Sequence, residues 1–98
     1  MIIVLSSVQI QEGKIAEALR VTQEHVLRSR LEAGCLEYGV SVDAENPNRL
    51  VFTERWESME ALKAHFEVPA SRDYVKAVGA VASAPAAVSL FQVSKVKP

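Results

Sequence analysis

The chain has 98 residues, 49% apolar and 23% charged, with a net charge of -1 and a pI near 6.1. That balance fits one globular domain spanning residues 1–98, and it excludes a disordered or fibrous chain. Scattered Lys and Arg with near-zero net charge exclude a general attraction to nucleic acid or an anionic membrane, and the single cysteine, Cys35, excludes an internal disulfide.

The opening Met1-Ile2-Ile3-Val4-Leu5 lacks a basic flank and is too short for a signal peptide. No apolar run approaches the roughly eighteen residues of a membrane span, so a cytoplasmic protein is expected. Ile2 to Ile10 reads as a strand, with Ile2, Val4, Ser6, Val8 and Ile10 on one face and the partly apolar Ile3, Leu5, Ser7 and Gln9 on the other. After a turn at Gln11–Lys14, a helix is predicted to about Glu32, with Ile15, Leu19, Thr22 and Val26 as its inner stripe and Ala18 beside it. Glu24 and Arg28 suit an i,i+4 ion pair on the wet face. His25 falls at the edge of the stripe, a half-covered boundary residue, with a pocket-lining role as the alternative.

Gly34 suits a left-handed cap on that helix. Cys35 to Val42 is a second strand, with Leu36, Tyr38, Val40 and Val42 on one face; Gly39 marks a bulge or a close backbone approach. Asp43–Asn48 is the polar turn of a hairpin leading to the strand at Leu50. From Leu50 to Phe66 the apolar period changes from two to about 3.6. Leu50, Phe52, Glu54 and Trp56 share one strand face, which puts a carboxylate among large apolar groups, where ionisation is costly unless it is paired. Ser58 can cap a short helix carrying Met59, Leu62 and Phe66. Val68-Pro69-Ala70 breaks the chain, and Ser71 can cap another helix with Tyr74, Val75, Val78 and Val81 as its apolar face and Arg72, Asp73 and Lys76 turned outward or to its edge. Gly79 weakens that helix and Pro85 closes it; Val88 to Val96 is the last strand.

The order strand, helix, strand, strand, helix pair, strand predicts an α+β fold of ferredoxin-like β-α-β-β-α-β plan, with one antiparallel sheet and helices on one face. Strands one, two and four are apolar on both faces, so a homodimer formed through the uncovered face is expected.

No dinucleotide fingerprint, phosphate loop or nucleophile elbow is present, and the two histidines lack carboxylates at metal-ligand spacing. No cofactor and no metal are expected. What remains is a small apolar pocket. Trp56 and Phe52 can wall it for a flat hydrophobic ligand, Tyr38 and Tyr74 can offer hydroxyls, and Glu54, His65 and Lys76 can titrate. The same residues also suit plain structural roles, Trp56 as core, Glu54 as a tie to a neighbouring arginine or amide, His65 as a helix-end cap.

Glu54-Arg55-Trp56-Glu57-Ser58, followed by Ala61-Leu62 and Ala64-His65, resembles the antibiotic biosynthesis monooxygenase family, as does Glu32-Ala33-Gly34-Cys35-Leu36-Glu37-Tyr38. The likeness runs from about Ile2 to Val96 and implies a dimeric ferredoxin-like domain. Placed by the shared Trp-Glu-Ser, the anthrone-oxygenase positions fall on Phe52, Trp56, Leu62 and Lys76, of which only the tryptophan is kept. The histidine of the haem-degrading members has no counterpart in the last helix. The closest pattern is that of the quinol-monooxygenase type. The resemblance thus implies a cofactor-independent monooxygenase acting with dioxygen on an electron-rich phenol, hydroquinone or similar small aromatic. Glu54 or His65 would be the base, Trp56 the stacking wall, and Tyr38 or Lys76 a stabiliser of the anion. An isomerase of a small phosphorylated hydroxyketone and a non-catalytic module binding an aromatic metabolite are the alternatives.

Overall fold

The computed structural model describes residues 1–98. The elements run β1 (Ile2–Gln9), α1 (Ile15–Ser29), β2 (Cys35–Asp43), β3 (Asn46–Trp56), α2 (Met59–Glu67), α3 (Pro69–Val81) and β4 (Ala87–Gln92). The four strands form one antiparallel sheet in the order β2-β3-β1-β4. The helices lie on one side of it, the ferredoxin-like α+β plan that the periodicity predicts. No helix is long and apolar enough to cross a membrane.

Residues paired across antiparallel strands point to the same face, so the register sorts the helix-side face into rows. Cys35, Trp56 and Ile2 form one row, Tyr38, Glu54 and Val4 the next, then Val40, Phe52 and Ser6, then Val42, Leu50 and Val8. Ile2, Val4, Val8, Leu50, Phe52 and Trp56 are buried, and with Ala18 and Val26 of α1 and Leu62 of α2 they make the core. The opposite face keeps Leu5 and Phe91 each 47% exposed.

Several local expectations need correction. β2 carries an irregularity between Cys35 and Glu37, so Leu36 is an extra residue in the ladder, 45% exposed, and Cys35 joins the Tyr38 face. Gly39 is not that bulge and has open space around it. The hairpin turn contracts to Ala44-Glu45, since Asp43 already pairs with Asn46. Gly34 is left-handed (φ +82°), but α1 has ended five residues earlier at Ser29. Its function is clearance: a Cβ there would lie 2.5 Å from the Ala61 Cβ, so only glycine lets α2 close onto the start of β2. Ser58 caps α2 as expected, its Oγ accepting from the Ala61 N–H at 3.2 Å. α3, however, starts at Pro69, whose missing N–H costs nothing at a first helical position, and Ser71 lies buried inside the first turn. β4 is shorter than expected, ending at Gln92.

Candidate active site

A cavity of about 480 Å³ opens between the sheet and the three helices. Its floor is the Tyr38-Glu54-Val4 row and the Phe52-Ser6-Val88 row; its walls are His25 of α1, His65 and Phe66 of α2, and Tyr74, Val75 and Val78 of α3. Ser7, Val8, Ser71, Arg72 and Ala86 complete the lining. The result is an apolar chamber with its titratable groups gathered at one end.

Of the residues expected at the pocket, Tyr38, Phe52, Glu54, His65 and Tyr74 line it. Trp56, Leu62 and Lys76 do not. Trp56 is on the expected strand face, but it lies in the row beyond Glu54, fully buried, with the His65 ring 4.7 Å from its own. Its Nε1–H donates to Glu54 Oε1 at 2.9 Å, so it serves the site from below rather than walling it. Leu62 is fully buried core. Lys76 is exposed and outside the lining, because two residues along a helix from Tyr74 leads around to another side.

His25 is not a boundary residue. It is 4% exposed and sits at the centre of a polar network. The expected Glu24–Arg28 pair does not form; Arg20 takes Glu24, and Arg28 turns inward. Arg28 Nη2 lies 2.6 Å from His25 Nδ1, and a guanidinium can only donate, so Nδ1 accepts and the neutral ring carries its proton on Nε2. Nε2–H then donates to the Tyr38 hydroxyl at 2.9 Å. That leaves the Tyr38 proton uncommitted to His25 and available beside Glu54, its cross-strand partner. Tyr74 stacks on His25 with ring centroids 4.0 Å apart, and its hydroxyl lies 2.8 Å from Thr22 Oγ1.

His65 has a second chain of its own. Its Nδ1 is 2.8 Å from Glu32 Oε1, and a carboxylate can only accept, so Nδ1 carries a proton. In the neutral imidazole this leaves Nε2 as a bare acceptor on a ring that lines the cavity. In the sequence Glu32 stands out only as part of the family-like motif, and Arg28 falls on the wet face of α1. Both belong to the site, and so does Phe66, 49% exposed at the cavity wall. The signal that could have exposed them is the polar series Thr22, His25, Ser29 and Glu32, which follows a helical face too regularly for a random wet surface.

The electrostatics follow from this packing. Burial pushes the Glu54 carboxyl above the usual carboxylate range, and the Trp56 hydrogen bond, the neighbouring His65 and the Tyr38 hydrogen bond pull it partly back. Burial, and then the Glu54 charge, push the Tyr38 hydroxyl far up, so it stays a donor. His25 is held down at about 3, first by burial, then by the charges of His65 and Arg28. The arrangement can therefore accept protons from a ligand at two points, Glu54 and His65 Nε2, inside an apolar enclosure.

Fold and site together define a ferredoxin-like α+β protein with an apolar chamber and a proton-accepting end. Within that class, the chain belongs to the antibiotic biosynthesis monooxygenase family, whose model matches residues 1–77. A crystal structure of an antibiotic biosynthesis monooxygenase superimposes with a TM-score of 0.90 at 27% identity, covering 97% of this chain and 100% of that one. Rv0793 from Mycobacterium tuberculosis gives 0.90 at 23% identity, covering 99% and 98%, a likeness of fold. The uncharacterized protein sll1783 of a Synechocystis strain is 26% identical over 94 residues, covering 96% of this chain and 64% of that protein. The chain thus spans a little under two thirds of that relative's length.

Proposed function

We propose that the protein is a cofactor-independent monooxygenase that oxidises an electron-rich phenol, hydroquinone or related small aromatic with dioxygen. The observation that carries this reading is His65, with Nδ1–H committed to Glu32 and Nε2 left as an acceptor on a ring that lines a mostly apolar chamber. A base in a dry pocket makes a phenolate whose charge is poorly solvated, and such an anion gives up an electron readily.

In the proposed sequence His65 Nε2 takes the phenolic proton. The phenolate passes one electron to dioxygen, and the phenoxyl radical and superoxide combine at a ring carbon bearing hydrogen. The imidazolium returns its proton to the distal oxygen, giving a hydroperoxide. Glu54 then removes the ring C–H proton; that electron pair closes the new C=O as the O–O bond breaks. The departing hydroxide takes the proton from Glu54 and leaves as water. One oxygen atom of O₂ ends in the quinone and the other in water. The Trp56 N–H holds that carboxylate in place, and the Tyr38 hydroxyl, whose proton the His25 Nε2–H leaves free, belongs to its cross-strand neighbour. Phe52, Phe66 and Tyr74 offer faces for the ring.

An isomerase of a phosphorylated hydroxyketone would use the same two proton acceptors, but the lining favours the aromatic: Arg72, exposed at the wall, is its only guanidinium or ammonium group. The reading includes a homodimer. Leu5 and Phe91, on the sheet face away from the helices, are the apolar surface that a second copy would cover; sedimentation at twice the protomer mass checks this, and a monomer at micromolar concentration sinks it.

The test is oxygen uptake by metal-stripped protein against hydroquinones, naphthohydroquinones and anthrones, corrected with heat-killed protein. Saturable uptake is expected, and Val78→Phe, which fills the chamber from α3, is expected to abolish it. Uptake no greater than that of killed protein across the panel, or unchanged by Val78→Phe, overturns the reading.

A further inference from the structure

The two proton acceptors of the chamber lie on different elements, Glu54 on β3 and His65 on α2, yet both lead back to one side chain on α1, the first through hydrogen bonds and the second through an ion pair. Arg28 Nη2 reaches His25 Nδ1 at 2.6 Å, and the chain continues through His25 Nε2 and the Tyr38 hydroxyl toward Glu54. Arg28 Nη1 lies 3.9 Å from Glu32 Oε2, and Glu32 Oε1 holds His65 Nδ1 at 2.8 Å. Arg28 Nη1 and Glu32 Oε2 are shielded from solvent and have no hydrogen-bond partner, so each is the other's compensating charge. Nη2 also lies 3.5 Å from Ser71 Oγ on α3, which fixes the guanidinium from the far side.

We infer that Arg28 is the shared positioning residue of the site: it sets the tautomer of His25, and thereby aims the Tyr38 proton at Glu54, and it holds the carboxylate that sets the tautomer of His65. The physical reason is that a guanidinium carries several donors in a rigid fork and accepts nothing, so it imposes a direction on every hydrogen bond downstream of it. An ammonium carries its three donors on one nitrogen, and one atom cannot occupy both the Nη1 and the Nη2 positions. A buried histidine without such a neighbour is free to exchange its two neutral tautomers, and Tyr38 would then spend part of its time donating to His25 instead of Glu54. The catalytic consequence rests on the proposed oxygenase reading; the tautomer assignment does not.

That separation makes the test clean, because the chain holds only two histidines, His25 and His65. Nitrogen-15 NMR of imidazole-labelled protein is expected to show opposite neutral tautomers, Nε2–H for His25 and Nδ1–H for His65, with His65→Gln supplying the assignment. Besides each other, the titratable and charged groups that face the two rings are Arg28 and Glu32 from α1 and the turn after it, Tyr38 from β2, Glu54 from β3 and Tyr74 from α3.

Arg28→Met is expected to mix the His25 tautomers and to broaden or shift His65, and to lower kcat about 10²-fold with KM little changed, as for misplaced groups that touch no substrate. Arg28→Lys, the milder variant should Arg28→Met fold poorly, is expected to restore one ring and not the other. Both tautomers unchanged in both variants overturn the inference. Altered tautomers with undiminished kcat overturn its catalytic half. Altered tautomers in a protein that takes up no oxygen with any substrate support the wiring and reject the oxygenase reading instead.

Discussion

Replacing His65 by alanine is expected to lower kcat for oxygen uptake by about 10²- to 10⁴-fold, the span of a lost general base. The imidazole is buried, so the substitution removes volume as well as basicity, and the two must be separated. Its ring packs 4.7 Å from that of Trp56 and 5.6 Å from that of Tyr38. The hole left by alanine lies at the polar end of the chamber, within reach of added imidazole. Rescue of uptake by exogenous imidazole, rising with the unprotonated fraction of the added base, is the outcome that only a proton-transfer role produces. A variant that turns over at the wild-type rate removes His65 from the mechanism and leaves Glu54 as the base. Glu32→Gln is a gentler change at the same place. It takes away the charge that favours an imidazolium during the reaction and should cost less than the loss of the ring itself.

How much of this was legible in the sequence depended on whether one pattern dominated. From Leu50 to Trp56 the alternation places the strand side chains on the correct face, and Leu50, Phe52, Glu54 and Trp56 are all buried, while on α2 His65 is buried and Phe66 half exposed. Depth was not legible. Trp56 and Glu54 share a face, yet only Glu54 reaches the chamber, because α2 roofs the end row and nothing in β3 records where α2 returns. The extra residue at Leu36 escaped because Leu36 continues the alternation of Tyr38, Val40 and Val42, so nothing in the pattern marks it as the residue the ladder skips. Arg28 and Glu32 escaped for a different reason. Polar residues on a helix read as solvent-facing unless something marks them as buried, and the mark here was His25 three residues before Arg28, on a helix whose neighbouring stripe already contained Thr22. The charged pair expected from i,i+4 spacing was available twice, and tertiary contact chose between them: Arg28 is drawn inward to His25, so Glu24 is left to Arg20.

The burial of His25 has a cost that appears as acid sensitivity. His25 titrates at about 3 in the folded protein against an ordinary 6.5, chiefly because it is buried, then because His65 and Arg28 are near. Below the ordinary value the unfolded chain binds a proton at His25 that the folded chain refuses, so stability falls as pH drops from about 6.5 toward about 3. Each unit is worth about 1.4 kcal/mol, and the whole window about 4–5 kcal/mol, a large share of the stability of a domain this size. Glu54 works in the opposite direction. Its raised folded pKa means the folded state binds the extra proton, so its burial penalty is present at neutral pH and is relieved as the pH falls through the folded value. The net slope of the wild type is therefore shallower than that of His25 alone, and the difference from His25→Gln isolates the histidine. Urea unfolding at pH 7, 5.5 and 4 is expected to show His25→Gln less stable at pH 7, where it lacks hydrogen bonds to both Arg28 and Tyr38, and to gain on the wild type at each step downward. A gap that stays constant over that range means His25 protonates equally in both states and overturns the prediction. The added proton would sit on Nδ1, against the Arg28 donor, while Nε2–H went on donating to Tyr38, so acid acts on this network at the link between Arg28 and His25.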